Sequence, residues 1–207
     1  MNRIQIIRFI VLYFPLHFSI SVYAQYGYVK IGRDSIIKGY IRPFRTVTDA
    51  QEGLEVWKTK TDKDPKRVFK KDVLEYSIGK DTIKILRDFI PFSDKDIYYT
   101  EVEAHYIITG KINLLKINST DKTIPNASQG MAGLGTAILI NNLKSGLYLL
   151  ERENISLIKA MPPKKEDLDK ALLDFFSERF LHLYETKKGK INYKSLPSLI
   201  KFYNSKD

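Results

Sequence analysis

The fold is decided by Gly27-Tyr-Val-Lys-Ile-Gly-Arg-Asp-Ser-Ile-Ile-Lys-Gly-Tyr-Ile41, a stretch with the pattern of two short strands and a tight turn. Side chains alternate between the faces of a strand, so Val29 and Ile31 share one face of the first arm. Ile37 lies on the matching face of the second arm. Joining these apolar faces predicts that Ile31 pairs with Ser35 or Ile37, because a slip of one residue would expose the apolar side chains.

The turn of this hairpin returns later in the chain. Ile31–Ile36 reads IGRDSI, and Ile78–Ile83 reads IGKDTI. One interpretation is recurrent turn chemistry, because glycine followed by Asp and Ser or Thr suits a turn anywhere. The other is an old duplication of a β unit about one small barrel in length. The sequence leaves both interpretations open.

The chain begins with the features of a secretory signal. Two arginines precede an apolar segment, Phe9–Ile20, and small residues end at Ala24. This pattern predicts cleavage by signal peptidase between Ala24 and Gln25. The alternative is an uncleaved anchor, but the apolar segment is short for a span, which needs about 20 residues. We therefore expect no transmembrane span in the mature chain.

Cysteine count and charge narrow the classes of partner. The chain has no cysteine, which excludes disulfides, thiolate metal sites, cysteine nucleophiles and a lipid-bearing cysteine. Its formal charge is +10, and loss of the two leading arginines leaves +8, a balance that favours anionic partners. Dispersed lysines, the lack of nucleic-acid motifs and the export signal argue against nucleic acid. The partners that we expect are an envelope protein or an anionic envelope polymer.

The remaining pattern predicts an α+β chain that is mainly antiparallel β, a small barrel or sandwich of six to nine short strands. After Met161 the apolar spacing changes to that of an amphipathic helix, and Ser195 is predicted to cap a final short helix. The predicted helix buries Leu168, Ala171, Leu172, Phe175 and Phe176. The predicted divisions are a signal peptide at 1–24, a β-rich domain at 25–160 and a C-terminal helical annex at 161–207.

The sequence shows no metal-binding, cofactor-binding or catalytic motif, so no metal ligand, cofactor or catalytic residue is predicted. The mature chain has two histidines, His105 and His182, without metal-ligand spacing. The glycine-rich run Gly130–Ile140 lacks the lysine and spacing of a phosphate-binding loop. We interpret it as a loop of small residues inserted into the β region.

One pair of carboxylates keeps an enzyme under consideration. Glu101 and Glu103 lie on one face of a predicted strand, and Tyr98, Tyr99 and Tyr106 are near them in sequence. Such a set would suit a glycan- or peptide-acting hydrolase if one carboxylate were desolvated and the other ionised. Surface charge and sheet packing explain the same residues.

Several short motifs resemble an uncharacterised family of exported proteins from Bacteroidota. The motifs that carry the resemblance are Gly32–Ile41, Phe69–Val73, Gly110–Leu114, Leu147–Glu151 and Phe202–Asn204. The resemblance implies an extracytoplasmic bacterial protein and brings no known activity. Separately, the opening hairpin resembles the start of SH3-like or Sm-like small barrels, which is a likeness of fold only.

The sequence therefore favours an exported, basic and β-rich bacterial protein of the periplasm or cell surface. Its expected role is that of a non-catalytic binding or accessory module. One alternative is a hydrolase that uses the carboxylates of Glu101 and Glu103. Another is an electrostatic binder of anionic envelope polymers.

Overall fold

The computed structural model describes residues 23–32, 34–46, 50–92, 97–118, 126–127, 146–152, 157–176 and 191–205. The strands are β1 Gln25–Ile31, β2 Ser35–Arg45, β3 Glu52–Trp57, β4 Lys66–Phe69, β5 Glu75–Ile78, β6 Asp81–Phe89, β7 Ile97–Ile108, β8 Asn113–Ile117, β9 Asn126–Ala127, β10 Leu147–Arg152 and β11 Leu157–Ala160. The helices are α1 Lys165–Phe175 and α2 Leu196–Asn204, with short 3-10 turns at Lys70–Asp72 and Tyr193–Ser195.

The opening hairpin has one of the two registers that the sequence allowed. Ile31 pairs with Ser35 and Val29 with Ile37, so a three-residue loop joins β1 to β2. Gly32 begins the loop with a φ of 71°, a backbone conformation that glycine adopts at little cost. The apolar side chains of both arms lie on the same face, and Val29 is completely buried.

The second copy of the turn has a different register. Ile78 pairs with Asp81, so the loop between β5 and β6 has two residues instead of three. As a result Ile83 is buried, whereas Ile36, its counterpart in the first copy, is half exposed. The two copies share turn chemistry but not strand pairing, which favours the first interpretation of the repeat.

Ten of the strands form one antiparallel sheet in the order β11-β10-β8-β7-β6-β5-β1-β2-β3-β4, and β9 pairs with the start of β7. Neighbouring strands lie about 4.8 Å apart, so β4 and β5 would be about 19 Å apart in a flat sheet. The connection between them has only five residues, and three of these form the tight 3-10 turn. The first five strands must therefore curl.

The curled strands enclose their own core. Val29, Ile41 and Val56 pack there with residues of β4, β5 and β6. Within the described residues β4 and β5 do not pair, and neither do the outer strands β4 and β11. The sheet is therefore open and does not close into a barrel, which was one of the two predicted forms, a small barrel or a sandwich.

The C-terminal part of the sheet is buried on both faces. Leu115 and Leu149 belong to a core on one face, while Leu114 and Leu150 contact the helices on the other. A strand covered on both sides has an almost continuous apolar sequence. This explains why apolar and polar residues alternate so little along β8 and β10. The chain is mainly antiparallel β with a helical end, as predicted, but it has more strands than expected.

The two described helices follow the predicted pattern with one correction. Leu168, Ala171, Leu172 and Phe175 are buried along α1, and Phe176 follows as its C-terminal cap. Ser195 precedes α2, but its side chain does not cap that helix. Its hydroxyl instead donates to the Asn192 carbonyl at 2.8 Å, within the preceding 3-10 turn. The Ser195 hydroxyl bonds to the backbone of Asn192, three residues earlier, and does not cap α2.

Candidate functional site

The candidate site is a cleft beside the 3-10 turn that joins β4 to β5. It consists of two adjoining cavities of about 310 and 370 Å³, and Glu52 and Lys70 line both. The first cavity has an apolar floor to which Leu54, Val73 and Tyr76 contribute. The second lies against Phe69, Lys71 and Glu101. We refer to the two cavities together as the β4–β5 cleft.

Arg87 holds the turn that forms this cleft. Its guanidinium donates to the carbonyl of Val73 at 2.9 Å and to the carbonyl of Lys70 at 2.6 Å. The same group lies 3.2 Å from a carboxylate oxygen of Glu101. One planar cation on β6 thus satisfies two backbone acceptors of the turn and links them to β7.

Lys70 lies among three carboxylates at the centre of the cleft. Its Nζ is 2.8 Å from Glu103, 3.5 Å from Glu101 and 3.8 Å from Glu52. Burial acts to lower the pKa of the Lys70 ammonium, but the hydrogen bond to Glu103 and the neighbouring negative charges outweigh it. The pKa is therefore raised, and Lys70 stays charged at neutral pH.

The structure brings the predicted carboxylate pair into this cleft and gives each member a cationic partner. Glu101 and Glu103 have side chains 30% and 27% exposed, and both contact Lys70. A general acid needs an apolar, unpaired setting that favours its neutral form. Lys70 and Arg87 instead give both carboxylates ion-pair partners. The geometry thus supports charged, binding carboxylates more than an acid–base pair.

The tyrosines named with this pair do not join it. Tyr99 is buried, and burial raises its pKa to about 12. Tyr106 lies on the opposite face of β7, where its hydroxyl is 3.0 Å from Glu75 Oε2 and 3.1 Å from Glu151 Oε2. The side chain of Tyr98 lies outside the described residues. The predicted sugar site is therefore not assembled from Tyr99 and Tyr106.

A second polar cluster surrounds Glu151, whose side chain is only 2% exposed. Lys84 forms an ion pair with it, and Asn113 Nδ2 donates to it at 2.9 Å. Burial, followed by the charges of Glu151 and Glu75, raises the pKa of the Tyr106 phenol. No buried side-chain nitrogen or oxygen in the described part of the chain lacks a partner. This cluster is a fully satisfied structural network.

Sequence reasoning did not single out Lys70, Arg87, Glu55 or Glu151. Lys70 and Arg87 read as ordinary surface charges, because their partners are distant in sequence. The sequence does contain a signal for Glu55 and Glu151, because each is an acidic residue within a strand of mostly apolar residues. Such a residue requires a partner when the strand is buried.

Several predicted features lie outside the described residues or lack a site there. His182, Gly130–Ile140 and most of the predicted signal peptide are outside them; β1 begins at Gln25. Among residues that are described, no group of three or more histidines and acids is placed to hold a metal ion. In that same part of the chain no helix has the length and apolar character needed to cross a membrane.

Comparisons with protein-family models, with curated proteins and with solved structures found no match to this chain. The resemblance to exported Bacteroidota proteins therefore stays a prediction. Three of the five motifs that suggested it nevertheless meet in space. Asn113 contacts Glu151, and Asn204 contacts the backbone of Ile112. Three of the five motifs thus form one structural junction.

Proposed function

We propose that this protein is an exported, non-catalytic binding module of a bacterial envelope, located in the periplasm or at the cell surface. The observation that carries the proposal is the β4–β5 cleft, with two adjoining cavities of about 310 and 370 Å³. Ligand pockets commonly combine this size with an apolar lining and a few fixed polar groups. The signal-like start of the chain supports the location.

The charges of the cleft indicate the kind of ligand. The cations and carboxylates that line the two cavities are equal in number: Arg45, Lys70 and Lys71 against Glu52, Glu101 and Glu103. A ligand with a large net charge would gain little from such a lining. A short segment of an envelope protein, with an apolar side chain for the floor and polar backbone groups for the rim, suits it best.

The pairing of the cleft carboxylates supports a binding role over hydrolysis. Glu103 and Glu101 are held by Lys70, and Glu101 also by Arg87. In these ion pairs the carboxylates position two cations and are not left unpaired beside a scissile bond. We therefore expect peptides to leave the cleft unchanged.

A peptide-binding measurement tests the role of the cleft. The probes are overlapping fluorescent decapeptides that cover the exported proteins of the native host, followed by fluorescence polarisation. Lys71→Trp would place an indole at the second cavity, whereas Lys80→Trp makes the same change at the exposed β5–β6 turn. We expect some peptides to bind with micromolar Kd, at least tenfold more weakly to Lys71→Trp and equally well to Lys80→Trp. Equal binding by both variants would contradict the proposed site.

Two further measurements test the absence of catalysis and the location. Mass spectrometry of the probe peptides after incubation should show unchanged masses. Cleavage that is lost in Glu101→Gln or Glu103→Gln would establish the hydrolase instead.

Fractionation of the native host with intact mass should recover a soluble species that begins at Gln25. A membrane-bound species that retains Met1 would overturn the proposed cleavage and would show an anchored protein instead.

A further inference from the structure

A row of alternating charges crosses the outer face of β2, β3 and β4. Arg42, Glu55 and Arg67 are directly opposite one another in the antiparallel register. Glu55 Oε2 accepts from Arg42 at 2.7 Å, and Glu55 Oε1 accepts from Arg67 at 3.1 Å. One carboxylate thus fixes two guanidinium groups on the side of the sheet that faces away from the curled core.

Burial differs sharply within this row. The side chain of Glu55 is 6% exposed, whereas those of Arg42 and Arg67 are 47% and 61% exposed. The carboxylate therefore lies beneath the arginines, which carry the row's net positive charge to the surface. Each guanidinium has five N–H donors, so contact with one carboxylate oxygen leaves others to face solvent.

Aromatic rings support the cations from below. The guanidinium carbon of Arg42 lies 5.1 Å from the centre of the Trp57 ring, and that of Arg67 lies 5.4 Å from the Phe44 ring. Lys60, in the loop after β3, lies 5.3 Å from the ring of Tyr40 in the neighbouring row. Among the outward-pointing residues of β2, β3 and β4, all of them described, Glu55 is the one acid. This face is thus positively charged, and its cations are positioned before any ligand arrives.

We propose that Arg42 and Arg67 form an anion clamp that binds the sulfate or carboxylate groups of an acidic polysaccharide. Planar guanidinium groups bind such oxyanions through paired hydrogen bonds. Because Glu55 and the rings already fix both side chains, binding costs less side-chain entropy than it would for free arginines. Arg42 and Arg67 do not line the β4–β5 cleft, although the Phe44 ring beside Arg67 does, and the clamp does not depend on the function proposed for the cleft.

The same rings favour a polysaccharide over a nucleic acid. Proteins that bind single strands without base readout stack the bases on aromatic side chains. Here cations cover the rings of Trp57, Phe44 and Tyr40. The surface therefore presents cations and hydrogen-bond donors. A nucleic acid would instead require exposed ring faces on which its bases could stack.

Titration with three defined probes tests the clamp: a heparin octasaccharide, a polygalacturonate octasaccharide and a single-stranded dT octanucleotide. The test variant is Arg42→Gln with Arg67→Gln. The control, Lys194→Gln with Lys201→Gln, loses the same charge at exposed positions near the C-terminus. We expect a loss of at least tenfold in affinity for an acidic octasaccharide in the arginine variant and less than twofold in the control. Equal losses would show that overall charge alone is responsible and would overturn the clamp.

A charge-preserving variant separates the clamp from folding defects. Arg42→Lys with Arg67→Lys keeps two cations beside Glu55 but removes the planar forks. We expect circular dichroism unchanged and affinity for the octasaccharide reduced severalfold. Affinity equal to that of the unmodified protein would refute the clamp. Tighter binding of the dT octanucleotide than of either polysaccharide would assign this face to nucleic acid.

Discussion

Asn204, in the last turn of α2, forms two hydrogen bonds with the backbone of Ile112, which lies 92 residues earlier in the chain. Its Oδ1 accepts from the Ile112 N–H at 3.1 Å, and its Nδ2 donates to the Ile112 carbonyl at 2.9 Å. This side-chain amide therefore fastens the end of α2 to the connection between β7 and β8. It replaces a backbone partner that the irregular connection lacks.

Removal of this amide should destabilise the whole chain. We expect Asn204→Ala to lower the free energy of unfolding by about 1–3 kcal/mol, because two backbone groups of Ile112 lose their partner. Urea denaturation followed by circular dichroism measures the change. Ser205→Ala, next to it on the exposed side, should have an effect below about 0.5 kcal/mol.

Gly110 tests the same junction from the other side. A Cβ added at Gly110 would collide with the side-chain amide of Asn204. We expect Gly110→Ala to displace that amide and to cost about as much as Asn204→Ala. The double variant should then be much less than additive, because both changes break one interaction. Fully additive losses would contradict the predicted collision.

Loss of the cation beside Glu151 should be costly. Lys84→Met leaves a buried carboxylate without its ion-pair partner, and breaking such a pair typically costs about 3–5 kcal/mol. Adding Glu151→Gln should restore part of the loss, since the remaining group is neutral and still accepts from Asn113. Chemical denaturation of both variants measures the effect. A double variant less stable than Lys84→Met alone would contradict this explanation.

Buried phenols predict instability at high pH. Burial raises the pKa of Tyr99 to about 12 and also raises the pKa values of Tyr106 and Tyr193. The unfolded chain loses these protons near pH 10, while the folded chain retains them. Stability is therefore fully present below pH 10 and falls above it, by about 1.4 kcal/mol per pH unit for each phenol.

Denaturation in urea at pH 9 to 12 measures that slope. Tyr99→Phe removes one of the three phenols, so the loss of stability per pH unit should become smaller by about 1.4 kcal/mol between pH 10 and 12. Absorbance at 295 nm follows ionisation of the phenols directly. An unchanged slope in Tyr99→Phe would show that this phenol is not protected by burial.

Arg87 should control the mobility of the β4–β5 cleft. Arg87→Lys keeps the charge, but an ammonium cannot reproduce the planar contacts with both carbonyls of the turn. We expect a loss of about 1–3 kcal/mol and faster amide hydrogen exchange at Lys70–Val73. Arg45→Lys, at an exposed ion pair, should change neither quantity measurably. Unchanged exchange in Arg87→Lys would assign the order of the turn to other contacts.

Much of the local structure could be predicted from neighbouring residues. Apolar alternation limits the register of β1 and β2 to two choices, one of which the structure has, and α1 follows from the spacing of Leu168, Ala171 and Leu172. The 3-10 turn at Lys70–Asp72 was missed, because Lys-Lys-Asp carries no strong turn signal. Its conformation depends on Arg87, which approaches from another strand. The pairing of Glu101 with Lys70 could not be predicted for the same reason.

The sequence by itself determined the class of fold, the opening hairpin and the helical end, because these depend on periodicity within a few residues. Only the tertiary structure decided that the sheet stays open and that Lys70 lies among three carboxylates. It also decided that the buried carboxylate of Glu55 holds two exposed arginines. Strand order and charge pairing join residues that are far apart along the chain. Such contacts form only when the sheet curls and buries its apolar faces, so no local pattern specifies them.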